Sequence, residues 1–173
     1  MACALTTGRE LPCKTGFGGI KYVYFADYAS LGTVTFDGDN TISAFSGSPA
    51  WFQYDIKGNS SLETAINSSR ENGTTFYAQT LSLTLTYLDN ATKEEIQLLA
   101  VGRPYVVVED YYGNQFLCGY ENGMECTGGT IVTGAAAGDL SGFTLTFEGQ
   151  EEKAPYFVDA GVVTANAAQI TPN

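Results

Sequence analysis

The sequence predicts a mainly β protein, an antiparallel β-sandwich or barrel with one flanking α-helix at about residues 92–101. Three observations carry that expectation. The stretches QTLSLTLTYL at 79–88 and FTLTFEG at 143–149 alternate between apolar and polar side chains, the period of a strand with one face in a core. Tyr, Phe, Thr and Gly are plentiful and charged residues make up only 16%, a mixture that suits pleated, half-buried surfaces joined by turns. Only one stretch carries helical spacing with a start and a stop signal.

The elements follow in order. Residues 1–18 are Gly-rich and aperiodic and read as an N-terminal arm. Strand-like runs cover 19–26 (GIKYVYFA), 33–36 (TVTF) and 41–46 (TISAFS), the last two joined by the hairpin signal Asp37-Gly38-Asp39-Asn40. AWFQYDI at 50–56 is a further strand, ending at Lys57-Gly58-Asn59, and residues 60–68 lead to the turn Glu71-Asn72-Gly73. A long strand then runs from about 74 to 88. In the helix, Thr92 and Glu95 match the Thr-x-x-Glu capping box, and Ile96, Leu99 and Ala100 share one face. Gly102, able to adopt the left-handed conformation, and Arg103-Pro104 end it.

YVVVED at 105–110 and QFLCGY at 115–120 flank a turn at Tyr112-Gly113-Asn114, and a strand covers 124–133. The small-residue loop 134–142 precedes FTLTFEG, and Pro155-Tyr-Phe-Val158 supplies a last strand before a weakly ordered tail at 161–173. With no repeat and no linker, residues 19–160 read as one domain between arm and tail.

Composition excludes several classes of function. The 19 acidic and 8 basic residues give a net charge of −11, which disfavours tight binding to nucleic acid and to anionic membranes. No apolar run approaches a membrane span. Histidine is absent, which removes the usual general base and a common metal ligand. The lysines fit no Ser-x-x-Lys pattern, and Gly16-Phe-Gly-Gly19 opens a strand, making it a poor phosphate cradle. Asp37-Gly-Asp39-Asn40 resembles a piece of a calcium loop but lacks its glycine and closing glutamate, so it reads as a turn. Glu94-Glu95 and Glu151-Glu152 read as solvated charges. No catalytic, cofactor-binding or metal-binding residue is expected, and the chain is not expected to be an enzyme.

Cysteines stand at 3, 13, 118 and 126 with spacings that match no zinc template. The opening residues show no apolar secretory segment, which predicts synthesis in the cytoplasm and reduced thiols, with a Cys3–Cys13 or Cys118–Cys126 bridge as the alternative. Sequons at Asn59, Asn67, Asn72 and Asn90 then reflect only a Ser/Thr/Asn-rich chain. The aromatic runs KYVYFADY and AWFQYD read as core rather than as a sugar-stacking platform.

Several blocks taken in order resemble tail tube proteins of tailed bacteriophages, of a compact single-domain type. They are Cys13 followed by GGIKYVYFADY, then ENGTTFYAQTLSLTL at 71–85, the helix leading into LLAVGRPYVVVEDYYGNQFLCGYENGMECTGGTIVTG at 98–134, and GDLSGFTLTFEGQE at 138–151. Inner tubes of contractile injection systems are similar in fold. The resemblance implies hexameric rings stacked into a hollow virion tail, assembled in the host cytoplasm, through which double-stranded DNA passes without specific binding. It implies tape-measure, terminator, baseplate-hub and sheath proteins as partners. It transfers no site residue.

Physical reasoning supplies candidates instead. A bore that DNA must slide through should be hydrated and free of Lys and Arg, because each phosphate contact adds affinity and drag. Thr80, Ser82, Thr84 and Thr86 meet that requirement, as do Thr144, Thr146 and Glu148. Residues 1–18, the region 54–70 and the loop 134–142 are candidates for flexible segments that order when rings stack. Two rivals share the β-rich composition: a capsid decoration protein and a carbohydrate-binding β-sandwich that would use Trp51.

Overall fold

The computed structural model describes residues 5, 7–56 and 59–164. Two sheets pack face to face. The larger has the order β2-β3-β11-β8-β7-β1-β4 and the smaller β5-β6-β10-β9. Its members are β1 (Ile20–Ala26), β2 (Val34–Phe36), β3 (Ile42–Phe45), β4 (Phe52–Asp55), β7 (Tyr105–Asp110), β8 (Gln115–Cys118) and β11 (Tyr156–Val158). The smaller sheet holds β5 (Ser61–Ser69), β6 (Thr74–Thr86), β9 (Glu125–Val132) and β10 (Gly142–Glu151). Pairing is antiparallel except where β11 meets β3 at Val158 and Ile42. The sheets form a sandwich and do not close into a barrel.

Alternation explains the layering. Leu81, Leu83 and Leu85 of β6 and Phe143, Leu145 and Phe147 of β10 point into one core, opposite Val23, Phe25, Val106 and Val108 of the larger sheet. The Phe25 and Phe147 rings meet at 5.3 Å between centroids. Each such side chain stabilises the fold by roughly 1.5–3 kcal/mol through burial. The larger sheet is covered on its other face too, where Tyr24, Val107, Leu117 and Trp51 form a second core. Burial on both faces is why β7 reads as the unbroken apolar run Tyr-Val-Val-Val. The Trp51 indole is 2% exposed. The smaller sheet has a core on one face only.

α1 (Asn90–Val101) lies where β6 hands over to β7 and inserts Ile96 and Leu99 into the first core. Its cap differs from the expected one. Asp89 is the N-cap: its carboxylate accepts the N–H groups of Ala91 and Thr92 at 2.9 and 3.1 Å and the Thr92 hydroxyl. Thr92 therefore sits inside the first turn, and Glu95 one turn further, so the two form no capping box. An aspartate one turn upstream is the stronger acceptor because its charge also suits the helix N-terminus. At the other end Gly102 has φ −81° and ψ 175°, extended rather than left-handed, while its N–H still donates to Leu98 O.

Two further expectations are corrected. Residues 61–69 are not a flexible segment but β5, paired with β6 from Ser61–Ser82 to Ser69–Thr74 and turning at Gly73 with φ 63°. The tail begins later than residue 161, since Val163 is buried and Val162 packs on the second core. Cys118 and Cys126 are free thiols, in line with the expected reduced state rather than the alternative bridge: Cys118 is buried and Cys126 half-buried. Burial and the nearby Glu151 charge push the Cys118 thiol up to about 12. Asp37 closes the expected turn by accepting the N–H groups of Asp39 and Thr41 at 3.0 and 2.8 Å. Cys3, Lys57, Gly58 and residues 165–173 lie outside the described residues.

Candidate assembly surface

Period-2 geometry places the seven candidate residues on one face of the smaller sheet, the face turned away from the core. Register brings them together as cross-strand pairs: Thr84 opposite Thr144, Ser82 opposite Thr146, and Thr80 opposite Glu148. Thr86 faces Gly142, where a Cβ would stand 2.0 Å from Leu85 O, so that crossing of β6 and β10 admits only glycine.

The flanking strands extend the same face, which the sequence reading did not include. On β5, Ser61 lies opposite Ser82 and Glu63 opposite Thr80. On β9, Thr130 lies opposite Thr144, Gly128 opposite Thr146, and Glu125 opposite Glu148. Two kinds of row cross the sheet. One is made of hydroxyls, with Thr130 and Thr144 hydroxyl oxygens 2.5 Å apart. The other runs Glu63, Thr80, Glu148, Glu125 and carries three carboxylates around one threonine. None of the four strands contains a lysine or an arginine.

The hydroxyls are not all free. Thr84 donates its hydroxyl to Asn59 O at 3.1 Å, and its N–H goes to Ser60 Oγ at 3.1 Å. Residues 59–60 thus continue the polar cover where β5 has not yet begun. Thr130 and Thr144 bond to each other, and Thr80, Ser82, Thr86 and Thr146 present short, uncharged hydroxyls on this face.

Among the described residues, two edges of this sheet lack a partner strand: β5 on one side and β9 on the other. Both carry an apolar residue that points toward the core side yet is unburied. Ile131, opposite the buried Phe143, is 63% exposed, and Ile66, opposite Tyr77, is 69% exposed. Neither strand has the lysine, proline or short length with which solitary sheets blunt an edge, although a bulge interrupts the β9–β10 ladder at Thr146–Phe147.

Within the aromatic runs Tyr24, Phe25 and Trp51 are buried and supply core, while Tyr28 and Phe52 are each 39% exposed. The arm is anchored at Phe17: its N–H donates to Tyr112 Oη at 2.7 Å, and its ring stands edge-on to Tyr111 at 4.8 Å. In the loop 134–142, Asp139 accepts the N–H groups of Ala135 and Ala136, which holds its carboxyl below the usual range. Among the described residues no group of three or more Cys, Asp or Glu is arranged to hold a metal ion. No protein-family model, curated protein or solved structure matches the chain.

Proposed function

We propose that the chain is a tail tube protein of a tailed bacteriophage, assembled as hexameric rings that stack into a conduit for the genome. The observation that carries this reading is the smaller sheet: one bare face without lysine or arginine, bounded by two open edges. A lone soluble domain gains nothing from such a face. A ring gains a smooth wall.

The strand count suits closure. β5, β6, β10 and β9 alternate in direction, so β9 of one copy runs antiparallel to β5 of the next. Joining these edges continues the ladder without reversing its polarity and removes both exposed edges. It also brings Ile131 of one copy beside Leu62 and Ile66 of its neighbour, covering apolar surface that is open in the monomer.

Six copies of a four-stranded sheet make a 24-stranded barrel. With strands about 4.8 Å apart and tilted by about 40°, its backbone diameter is about 48 Å, which leaves an open bore after side chains are counted. The wall of that bore is hydroxyl and carboxylate, which repels phosphate and gives counterion release nothing to act on. The larger sheet, whose central strands are buried on both faces, forms the outer layer of that wall, available to a sheath.

The rival sugar-binding reading loses its main feature, because Trp51 is 2% exposed and offers no stacking face. Negative-stain electron microscopy of the concentrated protein tests the proposal. Hollow cylinders or six-fold rings are expected; solely monomers, or the isolated trimers of a capsid decoration protein, would overturn it.

A further inference from the structure

The arm and an apolar groove occupy opposite ends of the larger sheet. The arm is pinned by Phe17 to Tyr111 and Tyr112, beside the end where Ile20 pairs with Asp110. The groove opens at the other end, where Ala26 pairs with Tyr105. It has a volume of about 370 Å³ and lies between α1 and the edge strand β4, lined by Phe52, Tyr54, Leu98 and Leu99. Leu98 is 68% exposed and Phe52 39% exposed, so apolar wall stands open to water. The charged groups in the lining are Asp27, Glu95 and Arg103, and the Arg103 guanidinium lies over the Tyr28 ring at 4.4 Å.

The arm has the complementary chemistry. Residues 7–15 read TGRELPCKT and form no strand. Leu11 is 97% exposed, and the proline after it biases Leu11 to the extended backbone that lies along a strand edge. Arg9 and Lys14 flank it, with Glu10 the only acid in the segment. The segment is therefore net basic in a chain of net charge −11.

We infer that the arm of one copy docks in the α1–β4 groove of a second copy, with Leu11 between Phe52 and Leu98 and with Arg9 and Lys14 near Asp27 and Glu95. This rests on the tube reading, for which it supplies the axial contact between rings. The six residues from Phe17 back to Leu11 reach at most about 22 Å. That is about the length of β1 alone, which leaves Leu11 short of its own groove. A donor at one end and an acceptor at the other make a heterologous contact that does not close, the arrangement a growing stack requires.

Cys13 provides the test, because it sits two residues from Leu11 and is exposed. One protein carries Cys3→Ser and keeps Cys13; the other carries Cys3→Ser, Cys13→Ser and Leu98→Cys. Mixed, assembled and mildly oxidised, they should give a disulfide-linked heterodimer on a non-reducing gel that neither gives alone. A single chain with Cys3→Ser and Leu98→Cys should give a ladder of linked copies, and Leu11→Asp should leave rings that do not elongate. Cylinders without the heterodimer would overturn the docking and leave the tube reading intact. A heterodimer without cylinders or rings would support the docking and sink the tube reading. Absence of both would overturn both, and an internal disulfide within one chain would overturn the second copy as occupant.

Discussion

The Oε1 atom of Glu151 accepts the backbone N–H of Asn122 at 2.9 Å, while its Oε2 accepts that of Glu121 at 3.0 Å. Asn122 returns a bond from its side-chain amide to Gln150 O at 2.8 Å. Nearby, buried Gln79 of β6 accepts the Gly119 N–H at 3.0 Å. These bonds tie the smaller sheet to the turn that follows β8, so the sandwich is held by directed polar contacts as well as by its apolar layer.

Burial of Glu151 raises its pKa above the ordinary 4.5, although the two N–H donors oppose that shift. The folded chain therefore binds this proton at a higher pH than the unfolded chain does. The stability it contributes is full below the unfolded pKa and is lost as pH rises through the folded one. Urea unfolding followed from pH 4 upward should show that decline, and Glu151→Gln should remove it. The same substitution replaces one acceptor with a donor facing an N–H, and should cost about 1–3 kcal/mol at acidic pH. An unchanged pH slope in the variant would show that another group is responsible.

Asp89 rather than Thr92 caps α1, and its carboxyl is held below the usual range by the Thr92 hydroxyl and then by the Ala91 N–H. Asp89→Ala should lower the thermal midpoint more than Glu95→Ala does. Helical circular dichroism and amide exchange at Ala91 and Thr92 check this. Equal losses for both variants would favour the Thr92–Glu95 box instead.

The sandwich was largely legible in the sequence because alternation of Leu with Thr in β6, and of Phe or Leu with Thr in β10, admits only one face to a core. β5 was harder to read. Its pattern Leu62, Thr64, Ile66 has the strand period, but the apolar side is interrupted by threonine and LETAI also suits a helix. Pairing with β6 decides it, and pairing is not visible in a single segment. The capping error has a similar cause: Asp89 and Thr92 are both good caps, and the winner depends on where the chain leaves Tyr87, whose φ is 67°. The candidate face was half legible, since β6 and β10 announce it while Glu63, Glu125 and Thr130 join it only through register.

Ile131 tests the ring edge. It is 63% exposed in the monomer, so Ile131→Asp should change unfolding stability by less than about 0.5 kcal/mol. Next to a neighbour's Leu62 it would bury an unpaired charge, and rings should be lost. Sedimentation velocity separates the two effects; rings of normal size would remove β9 from the proposed interface.

Charge on the bare face tests the bore. Thr84→Lys or Thr144→Lys leaves the apolar side of the sheet untouched and should preserve cylinders. The cylinders should then retain double-stranded DNA, with log affinity falling against log salt by roughly 0.9 per phosphate contacted. The unsubstituted protein should retain none. Equal DNA retention by both would place these residues outside the bore.

The even strand number of the smaller sheet has a genetic consequence. Two copies fused in tandem carry eight strands with the same terminal directions, and in the proposed ring three such fusions would complete the circle of six single chains. Deleting one strand, by contrast, would set like-directed neighbours against each other at every seam. In that proposed ring copy number would be governed by how sharply the wall curves, and duplication of the coding sequence would be a route by which one position in the circle acquires a specialised loop while the others keep theirs.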